Sequence, residues 1–120
     1  MRHPDEINGI IVHGKEWWDR AAGVTYSAVR CTIWFSTYEE PEYSCSTYEA
    51  NEFRQMAEEA LEADGYLAGL EHYRGGFREG LVSWAHRNQV PLYMVVEKRC
   101  TQTDVKRWGS MCLALKEDER

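Results

Sequence analysis

The clearest pattern in the chain is an alternation with period two across residues 24–36. Val29, Cys31, Ile33 and Phe35 fall on one face, and Tyr26, Arg30, Thr32 and Trp34 on the other. Successive side chains of a strand point to opposite faces, so this run predicts a strand. The first face reads as core. The second is half-polar and reads as open to solvent or a partner. Upstream, residues 7–14 (Ile-Asn-Gly-Ile-Ile-Val-His-Gly) read as a short β-branched strand ended by glycine. A polar and aromatic connection, residues 15–23, follows. It is too short for a parallel crossover, so the two strands are expected to pair antiparallel. Pro41, among Glu39, Glu40 and Glu42, marks a turn or a sheet edge. Residues 43–45 carry a weak signal for a further short strand.

The period then changes to that of a helix. Phe53, Met56, Ala57, Ala60 and Leu61 form a stripe, preceded by the capping box Ser46-Thr47-Tyr48-Glu49 and stopped at Asp64-Gly65. These signals predict a helix over residues 47–64. Gly69, Gly75, Gly76 and Gly80 make residues 66–80 a loop with at most one helical turn. Leu81, Val82 and Ala85 restore helical spacing within residues 78–88, and residues 92–99 after Pro91 alternate as a strand, with Leu92, Met94 and Val96 on one face. Residues 103–108 read as a short turn or the start of an irregular terminal piece, and residues 116–120 as a frayed charged tail. The order β-β-α-α-β predicts an α+β fold. It is a small, mostly antiparallel sheet with helices packed on one face, forming one domain over residues 1–120. The expected core is Val29, Cys31, Ile33, Phe35, Phe53, Met56, Leu61, Leu81, Leu92, Met94 and Val96.

A composition of 43% hydrophobic and 28% charged residues fits an ordinary folded chain rather than a disordered one. No apolar run approaches the about 18 residues of a membrane span. The opening Met1-Arg2-His3-Pro4-Asp5-Glu6 lacks the apolar stretch of a signal peptide, so a cytoplasmic location is expected. Cys31, Cys45, Cys100 and Cys112 contain no C-x-x-C pair, and free thiols are expected in a reducing compartment. His3, His13, His72 and His86 show no ligand spacing, so neither a metal nor another cofactor is expected.

Charge changes the picture most. The net charge is −6, yet residues 38–64 hold nine acids against the single base Arg54. A general nucleic-acid binder carries a basic patch instead. The acidic block is either a solvated helix face or a surface for a basic partner. Tyrosines interleave with its first carboxylates. Rings stack on guanidinium while carboxylates pair with it, so Tyr38, Glu39, Glu40, Glu42, Tyr43, Glu49 and Glu52 are the candidate partner-binding residues. A second set, Trp17, Trp18, Tyr26, Arg30 and Trp34, with Lys15, could stack single-stranded bases and hold phosphates. Trp17 or Trp18 could equally be a core plug. No catalytic motif is present: there is no G-x-S-x-G elbow, P-loop or dinucleotide fingerprint.

Residues 7–14, then Trp17-Trp18, then Thr25-Tyr26 with Val29-Arg30, resemble a group of small uncharacterised proteins of tailed double-stranded DNA bacteriophages. Residues 104–107 match more loosely. The sequence departs from the group at Val24, where asparagine is usual, and at residues 43–48, where the turn lacks the group's glycines. The resemblance implies a phage origin, hence the cytoplasm of a host cell, and no particular activity. The expected function is a non-catalytic accessory protein. Its acidic, tyrosine-bearing surface would bind and inhibit a host protein or defence complex, including by imitating a phosphate backbone. The alternative is a single-stranded nucleic-acid module built on the exposed aromatics.

Overall fold

The computed structural model describes residues 3–37 and 39–118. Strands β1 (Ile7–Asp19), β2 (Val24–Phe35), β3 (Glu42–Glu49) and β4 (Leu92–Glu97) form one sheet in the order β3-β2-β1-β4. The β1/β2 and β2/β3 pairs are antiparallel, and β4 lies parallel to β1. Helices α1 (Phe53–Ala63) and α2 (Leu81–Arg87) pack on one face. The α+β class and the antiparallel hairpin agree with the sequence pattern.

The first strand is longer than expected, running through Gly14 to Asp19. Gly14 does not end it, because it serves a close approach: a Cβ there would sit 3.0 Å from the Phe53 ring. The hairpin turns at Asp19 instead. Its carboxylate accepts the N–H groups of Ala21 (3.1 Å) and Ala22 (3.3 Å), and its carbonyl accepts that of Gly23 (2.8 Å).

The helix expected from residue 47 begins at Phe53, with Glu52 as its N-cap. Residues Ser46 and Glu49 of the apparent capping box belong to β3, where they pair with Val29 and Ser27 of β2. An eight-residue strand that completes a sheet outweighs one cap. The apolar phase of α1 holds: Phe53, Met56, Ala57 and Leu61 are buried. They join Ile10, Val12, Val29, Cys31, Ile33, Leu81 and Trp84 in the main core, with Leu92, Met94 and Val96 partly buried against it.

The C-terminal region is regular rather than irregular. Helix α3 (Gln102–Asp118) covers most of it, and Lys116 within the expected frayed tail is bonded to Asp64. Residues 119 and 120 lie outside the described residues. The helix is started by a reciprocal pair, Asp104 N–H to Thr101 Oγ1 (3.1 Å) and Thr101 N–H to Asp104 Oδ2 (3.4 Å). It lies on the sheet face opposite α1, where Val105 and Trp108 cover Ala28 with Trp17 and Tyr48. Helices therefore occupy both faces, not one. Gly109 permits the crossing, since a Cβ there would meet the Thr47 backbone at 3.2 Å. Cys112 of α3 is disulfide-bonded to Cys45 of β3, with Cα atoms 6.0 Å apart, so two of the four expected free thiols are paired and Cys31 and Cys100 remain free. No helix among the described residues is long and apolar enough to cross a membrane.

The irregular segment before α2 is held by charge. The buried Glu79 carboxylate accepts Arg87 Nε at 2.9 Å and Nη2 at 2.7 Å, and also the Glu71 N–H at 3.3 Å. The Arg87 hydrogen bonds, opposed by burial, hold this carboxyl down at about 2.

Three outcomes follow from this packing. Phe53→Ala should cost about 3–5 kcal/mol in urea unfolding. Breaking the disulfide, which joins residues 67 apart, should lower stability by about 2–4 kcal/mol, read by comparing oxidised protein with Cys45→Ser/Cys112→Ser. The unfolded Glu79 carboxyl takes up its proton near pH 4.3 and the folded one only near pH 2. Its contribution is thus complete above about pH 5 and lost as pH falls towards 2. Glu79→Gln should be less stable at pH 7 and lose less between pH 5 and pH 2 than the parent.

Candidate functional site

The acidic positions spread along the outer strand β3. Glu39 and Glu40 are exposed in the connection from β2. Tyr38 lies outside the described residues. Glu42 opens β3 and accepts the Tyr66 hydroxyl at 3.1 Å. Tyr43 is half-buried beside Thr32 and, by strand alternation, faces away from Glu42. Glu49 is exposed at the other end of β3, and the Glu52 carboxylate accepts the Gln55 N–H at 3.2 Å. Eight strand residues separate the Glu39–Glu40 end from the Glu49–Glu52 end, roughly 25 Å. The six described candidate residues therefore do not form one patch.

Folding also neutralises part of the acidic block with cations from outside it. Arg78 reaches Glu62 at 2.6 Å and Glu58 at 3.5 Å, and Glu58 also accepts the Leu81 N–H. Lys116 pairs with Asp64, which accepts the Ser44 hydroxyl as well. Among the described residues, Glu39, Glu40 and Glu49 stay exposed with no cationic partner, and Glu59 is held only by the Gln55 amide at 3.2 Å.

The aromatic set is likewise divided. Trp17 and Tyr26 stack at 5.7 Å, and Tyr26 stacks on Tyr48 at 4.8 Å, all half-buried beside α3. Trp34 lies on the same face further along β2 and is exposed with Ile11 and Tyr93. Trp18 projects to the opposite face and is 53% exposed. Arg30 lies under the Trp108 ring, 4.0 Å from its centroid. Burial lowers the pKa of its guanidinium, and its Nε has no hydrogen-bond partner among the described residues.

Trp108 was not singled out in the sequence, yet it organises this face. Its ring also takes Lys15 at 5.0 Å and the His13 ring at 4.5 Å, and its indole N–H donates to the His13 carbonyl at 2.9 Å. His13 and Lys15 both contact Glu97, at 2.7 and 3.2 Å, and these two hydrogen bonds lower that carboxyl's pKa. The readable signal was Val105, Trp108 and Cys112 at helical spacing behind the Thr101-x-x-Asp104 start. The cluster is filled by its own side chains, so Arg30 acts as a packing group. The free Cys31 thiol is pushed up to about 12, first by burial and then by Asp64, and stays protonated at neutral pH.

The chain matches no family model, no curated protein sequence and no solved structure. Its candidate sites therefore rest on geometry and charge.

The cation–ring stack has a measurable consequence. Trp108→Ala should lower stability by about 3–5 kcal/mol, because it empties the space between α3 and the sheet. Arg30→Met keeps length and replaces the cation–ring stack with a sulfur–ring contact, so it should cost under about 1 kcal/mol. Thermal melts of both variants check this pair of outcomes.

Proposed function

We propose that this protein is a non-catalytic accessory protein that binds a basic surface of another protein through two acidic clusters at opposite ends of β3, Glu39 with Glu40 at one end and Glu49, Glu52 and Glu59 at the other. The observation that supports this reading is the charge left after folding. Arg78 and Lys116 satisfy the inner acids, and the outer ones remain exposed without a cation among the described residues. Such charges cost little when solvated and steer a basic partner into contact. Glu52 is the N-cap of α1, and Glu59 lies two turns further along the helix. With a phage origin, as the first third of the chain implies, the partner is a host protein or defence complex with a basic, phosphate-binding surface. The carboxylates would compete for that surface.

The test is charge reversal at exposed positions. Glu42 is excluded from it because it accepts the Tyr66 hydroxyl. Glu39→Lys/Glu40→Lys/Glu49→Lys should leave the circular dichroism spectrum unchanged, since exposed substitutions matter by under about 0.5 kcal/mol each. It should weaken binding to a partner recovered from host lysate by at least about tenfold. Binding of the parent should also fall as salt rises. Equal affinity of parent and variant, with the same salt slope, would remove the acidic surface from consideration.

A further inference from the structure

β4 ends at Glu97, opposite Lys15, so residues 16–19 of β1 continue as a strand without a neighbour on that side. The chain leaving β4 returns to this edge once, where the Cys100 N–H donates to the Glu16 carbonyl at 3.0 Å. The space beside the edge is a pocket of about 630 Å³ lined by Trp17, Trp18, Arg20, Arg99 and Cys100. Consecutive strand residues project to opposite faces, so the two indoles flank the strand edge. Trp18 is 53% exposed, so its ring is open to a ligand at this edge.

Two arginines line this pocket. Arg20 and Arg99 are exposed, have no ion pair among the described residues, and follow or adjoin the exposed Lys98 and the hairpin turn. Three of the four nearby carboxylates are engaged, while Glu16 has no ion pair among the described residues. Asp19 holds the turn N–H groups, Glu97 holds His13 and Lys15, and Asp104 caps α3. Arg99 also has φ +63°, in the left-handed region that a residue with a Cβ rarely adopts. Arg99 nonetheless holds this conformation beside the pocket it lines.

We propose that this pocket binds a nucleotide unit, with the base stacked on the exposed Trp18 and the phosphate held by Arg20 and Arg99. Indole faces accept any base, and a guanidinium fork matches phosphate oxygens. The volume is within the range of small-ligand sites. The unit can come from a free nucleotide or from a single strand, and both present the same chemistry. The site lies at the β1 edge, far from Glu39 and Glu40 and two strands away from Glu49, since Ser27 pairs with both Glu16 and Glu49.

The test titrates the full chain with adenosine monophosphate and, separately, with a 5′-phosphorylated tetradeoxyadenylate. It reads tryptophan fluorescence and calorimetry, with adenosine and inorganic phosphate as controls. Saturable quenching by at least one of the two nucleotide probes is expected, tighter than by either control. Trp18→Ala should weaken it roughly tenfold, the loss of one stacked base. Arg99→Gly should weaken it while leaving the melting temperature unchanged or higher, because φ +63° suits glycine. Arg74→Ala, which removes a charge from the remote 66–80 segment, should leave it unchanged. Equal affinities for the mononucleotide and the tetramer assign the free nucleotide, and tightening with length assigns a single strand. The proposal is overturned by no saturable binding of either probe at millimolar concentration, by phosphate binding as well as nucleotide, or by Arg74→Ala weakening binding as much as Arg99→Gly.

Discussion

The register of β1 against β2 is the constraint on which the rest depends. It sets Ile10 opposite Ile33 and Val12 opposite Cys31 on one face, and His13 opposite Arg30 and Lys15 opposite Ala28 on the other. A slip of one residue would exchange these sets and bury the charges under α1 and α2. Both faces of β2 are used, which is why the sheet can carry helices on both sides. The larger core fixes the hairpin, and α3 then has a defined surface of Ala28, Arg30 and Tyr26 to lie on.

That second face is held differently from the first. Its hydrophobic part is small, limited to Ala28, Val105 and Trp108 with three partly buried neighbours. The remaining adhesion comes from Trp108 between cationic side chains and from the Cys45–Cys112 bond to β3. Stacked guanidinium keeps its charge while shedding water at low cost, so Arg30 is tolerated under the ring without a carboxylate partner.

Charge pairing explains both the stability of the irregular segment and the character of the surface. Arg78 ties that segment to α1, Arg87 ties it to α2 through Glu79, and Lys116 ties α3 to the end of α1. These pairs spend cations on the interior side of the acidic block. The surface that results has carboxylates at the two ends of β3, and arginines with tryptophans at the free edge of β1. One protein thus offers a cation-seeking region and an anion-seeking pocket, each assembled from residues distant in the chain.

The sequence by itself determined the elements whose pattern is local. The two-faced alternation of β2, the apolar phase of Phe53, Met56 and Leu61, and the alternation of β4 follow from periodicities of two and 3.6, which need no tertiary partner. It also determined the total charge and the exposed Glu39–Glu40 turn. The tertiary structure decided the rest. Ser46 and Glu49 carry a helix start in their spacing, but β2 offered them a complete strand partner. Gly14 looked like a stop until Phe53 was seen to need its missing side chain. Cys45 and Cys112, 67 residues apart, meet only because α3 crosses β3. Which acids stay exposed was decided by Arg78 and Lys116 reaching back from later in the chain. Trp18 and Arg99 share a pocket because β4 ends before β1 does. Contacts between residues far apart in sequence leave no period to read, and their energies appear only when the elements are packed.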